Sequence, residues 1–249
     1  MLRRMLLELR NVGVAIGART VLSNINMKVD SRELHVLIGP NGSGKTSLLN
    51  AIMGIKPYEV VNGQVIFMDV DVTREPPHLK ARRGIAIAHQ LPPVLKGIVA
   101  GKFADELVRR YGVMKIYVDT LLETLDVRYL LDRYLFDKMS GGERKRLEMF
   151  LTLLVRPKVA LLDEPDSGVD IDSVEKMSNA IKVALNSGGS VVLVTHSLHM
   201  IKLLRDHIKF VHVLYGGTII HSGLYDEVVP TIEKHGLSGA LSRLVGGTH

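Results

Sequence analysis

The segment Gly39-Pro40-Asn41-Gly42-Ser43-Gly44-Lys45-Thr46 fits the pattern G-x-x-x-x-G-K-[ST] of a phosphate-binding loop. An apolar run that predicts a buried strand, Leu34–Ile38, precedes it, and a predicted helix, Lys45–Met53, follows. The glycines let successive backbone N–H groups converge on phosphate oxygens, and the helix presents its positive N-terminal end to the same anion. We therefore expect a nucleotide site in which Lys45 contacts the β- and γ-phosphates, the Thr46 hydroxyl binds Mg²⁺ and Ser47 completes the loop.

Two carboxylates follow another predicted strand, residues 159–162, which ends in Asp163 and Glu164. In a parallel sheet both acids lie at the carboxyl edge, beside the phosphate-binding loop. Successive residues of a strand point to opposite faces, which separates their roles. We expect Asp163 to reach the Mg²⁺ shell and Glu164 to activate the water that attacks the γ-phosphate.

Apolar runs alternate with amphipathic stretches along the chain, which predicts an α/β fold with a mostly parallel sheet. The strand signal disappears between residues 91 and 154, where helical patterns replace it. The prediction is an α/β core made of residues 1–90 and 155–249, with a helical subdomain, residues 91–154, inserted into it. Further predicted strands are residues 1–10, 65–67, 85–88, 191–195 and 210–214, and further predicted helices are residues 103–111, 117–125, 144–154, 225–234 and 237–244.

Composition excludes several classes of function. The 249 residues include no cysteine, which rules out disulfides, thiolate catalysis and Cys ligation of an iron–sulfur cluster, and agrees with a cytoplasmic location. No apolar run approaches the roughly 20 residues that span a bilayer. The formal charge is +6, but the basic residues are scattered along the chain, so we expect a solvated basic surface rather than a nucleic-acid face.

A third motif, Met139-Ser140-Gly141-Gly142-Glu143, opens a predicted helix shortly before the acid pair. Together with the phosphate-binding loop and the acids, it resembles the signature of ATP-binding cassette (ABC) ATPases. Aligned with that family, Gln90 lies at the Q-loop, Ser167-Gly168-Val169-Asp170 at the D-loop and His196 at the switch histidine. The resemblance implies a P-loop ABC ATPase domain whose N-terminal part is antiparallel β-structure.

The resemblance also implies an active form, a head-to-tail dimer that encloses two ATP molecules. In that family the signature reaches the nucleotide of the partner subunit, so the resemblance implies this role for Ser140, Gly141, Gly142 and Glu143, which lie in the helical insert. The implied catalytic residues are Glu164, His196 and Gln90, the implied metal ligands are Thr46, Gln90 and Asp163, and Asp170 joins the P-loop and signature residues among those that bind nucleotide.

Members of this family often stack the adenine on an aromatic side chain upstream of the P-loop. The equivalents here are Val14 and Ile16, which lack the ring-to-ring attraction of about 0.5–1.5 kcal/mol. We therefore expect weak discrimination between ATP and GTP.

Within the family, the run Asp163-Glu164-Pro165-Asp166-Ser167-Gly168-Val169-Asp170-Ile171-Asp172 resembles SufC, the ATPase of the SUF iron–sulfur cluster assembly system. This resemblance implies a SufB-type scaffold, with or without a SufD-type protein, as the partner, and it places the cluster on that partner because this chain has no thiols. Other segments that resemble SufC are Tyr58-Glu59-Val60 with Gly63, Gln90-Leu91-Pro92-Pro93 with Gly97, Ser140-Gly141-Gly142-Glu143-Arg144-Lys145-Arg146, and Val211-His212-Val213-Leu214-Tyr215 with Gly217 and Ser222-Gly223.

Two alternatives share every ATP-site residue. One is the nucleotide-binding subunit of an ABC transporter, which would couple through the helical insert to a membrane permease. The other is an ABC ATPase that acts on DNA or the ribosome, a class suggested by the basic charge; salt-sensitive nucleic-acid binding would identify it.

Overall fold

Two β-sheets and eight α-helices make up residues 5–90 and 97–246, the part of the chain that this computed structural model describes. The strands are β1 (Met5–Ile16), β2 (Arg19–Asp30), β3 (Leu34–Ile38), β4 (Tyr58–Phe67), β5 (Val70–Asp71), β6 (Ile85–Ala88), β7 (Val159–Asp163), β8 (Ser190–Val194), β9 (Ile208–Tyr215) and β10 (Thr218–Gly223). The helices are α1 (Lys45–Met53), α2 (Pro77–Arg83), α3 (Ala100–Tyr111), α4 (Lys115–Leu125), α5 (Gly141–Leu154), α6 (Ile171–Asn186), α7 (Leu198–Leu203) and α8 (Tyr225–Gly246).

The larger sheet has the strand order β10-β9-β3-β8-β7-β6. Strands β9, β3, β8, β7 and β6 pair in parallel, and β10 is antiparallel to β9. Its central strands β3, β7 and β8 are buried throughout, because helices or the second sheet cover both faces. The predicted α/β fold with a mostly parallel sheet is confirmed.

The smaller sheet is antiparallel, with the order β2-β1-β4-β5. This confirms the antiparallel N-terminal part that the family resemblance implied. The predicted strand at residues 65–67 is only the end of β4, and β1 continues beyond the predicted residues 1–10 as far as Ile16. Residues 1–4 lie outside the described part of the chain.

Helix α1 follows the P-loop and lies between the two sheets. Leu48, Leu49 and Ile52 on this helix are fully buried in a core that also contains Phe67 of β4 and Leu161 of β7. Each such side chain contributes about 1.5–3 kcal/mol through removal of apolar surface from water. Both sheets therefore hold the helix whose N-terminus carries the P-loop.

Helices α3, α4 and α5 lie between β6 and β7 in the chain, where the sequence predicts helices. They share a core with α6, and the Tyr117 hydroxyl of α4 donates a hydrogen bond to the Leu153 carbonyl of α5. The division into a core and an inserted subdomain at residues 91–154 stays a prediction.

The C-terminal helices predicted at residues 225–234 and 237–244 form α8, with a non-helical break at Gly236 (φ 66°, ψ 170°) between them. Glycine tolerates this left-handed φ without a Cβ clash. Within the described ranges, no helix has the length and apolar composition needed to cross a membrane.

Candidate functional site

The P-loop connects β3 to α1 through backbone that requires glycine. Gly42 and Gly44 have φ values of 77° and 107°, in the left-handed region. At Gly39, a Cβ atom would lie 2.2 Å from the Leu214 carbonyl oxygen of β9, so no larger residue fits there. The loop thereby brings its backbone close to the N-terminus of α1, where N–H groups have no helical partner.

Inside this loop, the Lys45 ammonium donates hydrogen bonds to the carbonyl oxygens of Gly39, at 2.9 Å, and Pro40, at 3.0 Å. Burial lowers the pKa of Lys45, and the nearby carboxylates of Glu164 and Asp163 oppose that shift. The Lys45 ammonium is therefore held at the P-loop by backbone carbonyls, in a position where it can contact a bound phosphate.

An open cleft of about 840 Å³ lies in front of the P-loop. It brings together predicted P-loop residues, all three predicted catalytic residues and two residues of β2 that the sequence did not single out. The lining residues are Arg19, Val21, Asn41, Gly42, Gly44, Lys45, Thr46, Ser47, Gln90, Glu164, Ser167 and His196.

Two of the three residues expected to hold Mg²⁺, Thr46 and Asp163, contact each other, whereas the side-chain amide of the third, Gln90, donates to Glu164. The Thr46 hydroxyl donates to Oδ1 of Asp163 at 3.2 Å, and Asp163 is 2% exposed. Burial raises the pKa of Asp163, and the Thr46 hydrogen bond opposes that rise. The Ser43 hydroxyl is buried without a hydrogen-bond partner in the described residues. Hard oxygen ligands beside a glycine-rich polar loop fit Mg²⁺ and a nucleotide phosphate.

Glu164 leaves the strand in a way the sequence did not predict. β7 ends at Asp163, and Glu164 has a left-handed φ of 48° while its N–H donates to the Val194 carbonyl at 2.9 Å. The expectation that strand pleating separates the two acids is wrong, because a backbone turn rather than the next strand position directs the Glu164 side chain.

The Glu164 carboxylate is the meeting point of the predicted catalytic residues. Its Oε1 lies 3.0 Å from Nε2 of His196, and its Oε2 accepts a 2.8 Å hydrogen bond from Nε2 of Gln90. Lys145 of α5 donates from Nζ to the Glu164 main-chain carbonyl at 2.6 Å. This carboxylate is therefore held by hydrogen-bonding side chains on two sides and faces the cleft.

The signature residues lie at the start of α5, away from the cleft lining. Ser140 caps the helix: its Oγ accepts from the Glu143 N–H at 3.2 Å, and the Glu143 carboxylate accepts from the Ser140 N–H at 2.7 Å. Arg133 lies 3.1 Å from that carboxylate. The N–H groups of Gly141 and Gly142 lie in the first helical turn, so they have no acceptor within the helix.

Asp170 lies beside the signature rather than in the cleft. Its carboxylate caps α6 and accepts from the Ser173 N–H at 2.7 Å. A Cβ atom placed on Gly142 would lie 3.7 Å from Oδ2 of Asp170. The predicted nucleotide-binding residues thus form two groups, one around the P-loop and one around the signature.

The residues expected next to the base are placed differently from the prediction. Val14 is fully buried in the core between the sheets, so its predicted contact with the base is wrong. β1 pairs with both β2 and β4, and the Val14 side chain packs in the same core as Leu22 and Val60, its partners on those strands. Ile16 is not among the residues that line the cleft, whereas Arg19 and Val21 are.

Sequence reasoning missed two further polar residues of α5, Lys145 and Glu148. The signal was present: Glu148 stands between Leu147 and Met149, on the part of the helix that the structure buries. An ionisable residue in such a position needs a partner, and Oε1 of Glu148 accepts from the His89 N–H at 2.6 Å.

One segment that contributes to the SufC resemblance, Leu91-Pro92-Pro93, lies outside the described residues.

A P-loop between a buried strand and a helix, with an acid pair at the end of another strand of the sheet, defines a Mg²⁺-dependent P-loop ATPase. A family model described as ABC transporter matches residues 22–167. The chain belongs to the ABC ATPase family: it is an ATPase, converting ATP and water to ADP and phosphate, with ATP and Mg²⁺ as its cofactors.

Named relatives cover almost the whole chain. An uncharacterized ABC transporter ATP-binding protein of Methanocaldococcus jannaschii is 35% identical, over 90% of this chain and 91% of the relative. A probable ATP-dependent transporter, ycf16, of Antithamnion sp. is 32% identical, over 94% of this chain and 96% of the relative.

Solved structures share the fold. The ATP-binding cassette MJ0796, in a dimeric post-hydrolysis state bound to ADP and Pi, matches with a TM-score of 0.74 and 22% identity, over 88% of this chain and 98% of that one.

Proposed function

We propose that this chain is a SufC-type ATPase that drives conformational change in a SufB-type scaffold, with or without a SufD-type protein, during iron–sulfur cluster assembly. The observation that carries the proposal is the run 163–172, whose residues resemble SufC and flank the catalytic carboxylate. Asp166 in this run is 9% exposed and accepts a 2.6 Å hydrogen bond from the Thr195 hydroxyl, just before His196. The absence of cysteine from the sequence fits a motor that leaves the cluster to its partner.

In this proposal the chemistry belongs to the residues around the cleft. Glu164 accepts a proton from the attacking water, His196 and Gln90 hold its carboxylate, and Lys45 neutralises charge on the β- and γ-phosphates. Thr46 and Asp163, with Gln90 nearby, would hold Mg²⁺, which supplies charge neutralisation at the transferred phosphate.

The catalytic unit is a head-to-tail dimer in which Ser140 to Glu143 and Asp170 of one chain complete the nucleotide site of the other. The separation of the signature from the lining of this chain's own cleft supports that arrangement. Backbone N–H groups at the start of α5 suit an anion that the partner's P-loop holds. Loss of the γ-phosphate would weaken the dimer, so that hydrolysis leads to opening of the interface between the two subunits.

The second candidate is the nucleotide-binding subunit of an ABC transporter. The observation that favours it is the naming of the two relatives as transporter proteins. Its ATP-site residues and dimer would be the same, and only the partner differs: a membrane permease instead of a scaffold.

Affinity purification separates the two candidates. The chain is tagged in its native cell, purified gently with and without detergent, and its partners are identified by mass spectrometry; the Lys45→Ala variant serves as a control for nucleotide-dependent capture. We expect a SufB-like protein in both preparations. A multi-span membrane protein that co-purifies only with detergent would contradict the SufC proposal and support the transporter subunit.

A further inference from the structure

Helix α5 carries a buried carboxylate for which the ATPase machinery described above has no use. Glu148 is 7% exposed, and its Oε1 accepts a hydrogen bond of 2.6 Å from the backbone N–H of His89. His89 is the residue before Gln90. The helix that begins at the signature therefore holds the backbone next to the catalytic glutamine.

The backbone at His89 needs an acceptor from outside the sheet. β6 is the edge strand of the larger sheet, and its parallel ladder with β7 ends at the pair Ala88 and Leu162. The His89 N–H lies beyond the last residue pair of this ladder, and a backbone N–H in a partly buried position needs an acceptor. The Glu148 carboxylate supplies the missing acceptor, and a short hydrogen bond to a carboxylate is among the stronger kinds.

This hydrogen bond has a direct consequence for the catalytic carboxylate. Gln90 is exposed, and its Nε2 donates to Oε2 of Glu164 at 2.8 Å. Ordering an exposed side chain in such a contact costs conformational entropy, and a backbone that is already held in place lowers that cost. The backbone hydrogen bond at His89 is one residue away.

We propose that Glu148 is a positioning residue of the ATPase site, which fixes the backbone at His89 and thereby the position from which Gln90 reaches Glu164. The inference rests on the ATPase activity and not on the proposed SufC role, so it holds equally for a transporter subunit.

The chemistry of Glu148 indicates a suitable set of variants. Burial raises the pKa of Glu148 to about 7, and neutral variants test whether an acceptor oxygen alone is needed at this position. Glu148→Gln keeps an acceptor oxygen with almost the same shape, whereas Glu148→Leu fills a similar volume without an acceptor. Exposed Glu175 on α6 provides a control, since Glu175→Gln removes one carboxylate outside the site.

Steady-state ATPase kinetics and equilibrium binding of MgATP are measured for each full-length variant. We expect kcat to fall about tenfold in Glu148→Leu, as for loss of one catalytic positioning hydrogen bond, with less than a twofold change in the Kd for MgATP. Glu148→Gln should recover at least half of the wild-type kcat. A packing role would give the opposite order, with Leu tolerated. Equal kcat in wild type and Glu148→Leu, or a loss in Glu148→Gln as large as in Glu148→Leu, would overturn the proposal.

A double-mutant cycle tests whether Glu148 acts through Gln90. In a Gln90→Ala background, Glu148→Leu should lower kcat by less than twofold, because the residue that it positions is gone. An undiminished tenfold loss in that background contradicts the proposal. If Glu148→Leu does not fold, amide exchange at His89 in Glu148→Ala replaces it: we expect exchange about tenfold faster than in wild type, and an unchanged rate counts against the role.

Discussion

Nε2 of His196 lies 3.0 Å from Oε1 of Glu164. The two residues are distant in the chain and meet because β7 and β8 are parallel neighbours, with Asp163 paired to Val194 at their carboxyl ends. Residues that follow the two strands therefore emerge at the same edge of the sheet, in front of the P-loop. In the proposed mechanism this contact orients the carboxylate that activates water.

Replacing Glu164 with Gln should leave ATP binding intact and slow hydrolysis by about 10² to 10⁴, the usual contribution of a general base. The amide keeps the shape of the side chain and its place beside His196, but it cannot accept the proton from water. Single-turnover hydrolysis together with equilibrium ATP binding checks this. The variant should also accumulate as an ATP-bound dimer in size-exclusion chromatography, and unchanged turnover would show that Glu164 is not the base.

Complementation between two inactive variants tests the dimer. Lys45→Ala removes a P-loop cation and Ser140→Ala alters the signature, so each protein alone should hydrolyse ATP slowly. Mixing them should restore activity, because a mixed dimer holds one site with an intact P-loop and an intact signature.

Wild-type activity per chain should also rise with concentration and with addition of the partner protein. Full activity in a strictly monomeric sample would contradict the dimer. Loss of the cap at Ser140 costs about 1 kcal/mol of stability, so the melting temperature of that variant is the control.

The cleft should discriminate poorly between ATP and GTP. Arg19 and Val21 line it, and neither side chain has the aromatic ring whose stacking on a base would add about 0.5–1.5 kcal/mol. Competition binding with both nucleotides should give Kd values within a few-fold of each other. A strong preference for ATP would disprove this expectation.

A buried histidine pair predicts how stability depends on pH. Nδ1 of His35 lies 2.9 Å from Nε2 of His212; Glu33 and Ser222 contact the outer ring nitrogens at 3.0 and 2.8 Å. Burial lowers the pKa of His212 to about 3, and burial also lowers the pKa of His35, against an opposing effect of Glu33.

Both folded-state pKa values lie below the ordinary histidine value of about 6.5. As the pH falls, His35 and His212 therefore bind protons in the unfolded chain before they do so in the folded chain. The contribution of this histidine pair to the free energy of unfolding should therefore be greatest above pH ~6.5 and decrease below it, by up to about 1.4 kcal/mol per pH unit for each histidine, whereas the raised pKa of buried Glu148 acts in the opposite direction. Urea unfolding at pH 7.5 and 5.5 measures the change. His212→Gln should reduce it and His78→Gln, an exposed control on α2, should not; an equal pH effect in wild type and His212→Gln would contradict the assignment.

Local patterns predicted the P-loop helix with its bounds, Lys45 to Met53, because its glycines, its breakers and its apolar positions are all contained in one short segment. Convergence of Gln90, Glu164 and His196 was also predictable, although only through the resemblance to a family. No local pattern shows that Glu164 turns into a left-handed conformation, since that depends on a hydrogen bond to Val194 in a neighbouring strand.

The sequence by itself determined the α/β fold, the nucleotide loop and the identity of the acids, since these depend on residue types and spacings within single elements. The tertiary structure decided which side chains meet. It buried Val14 and placed Arg19 and Val21 at the cleft, and it joined Glu148 to His89. Those outcomes depend on strand order and on the packing of α5 against β6, which bring together residues far apart in the chain, and spacing along one chain does not encode such distances.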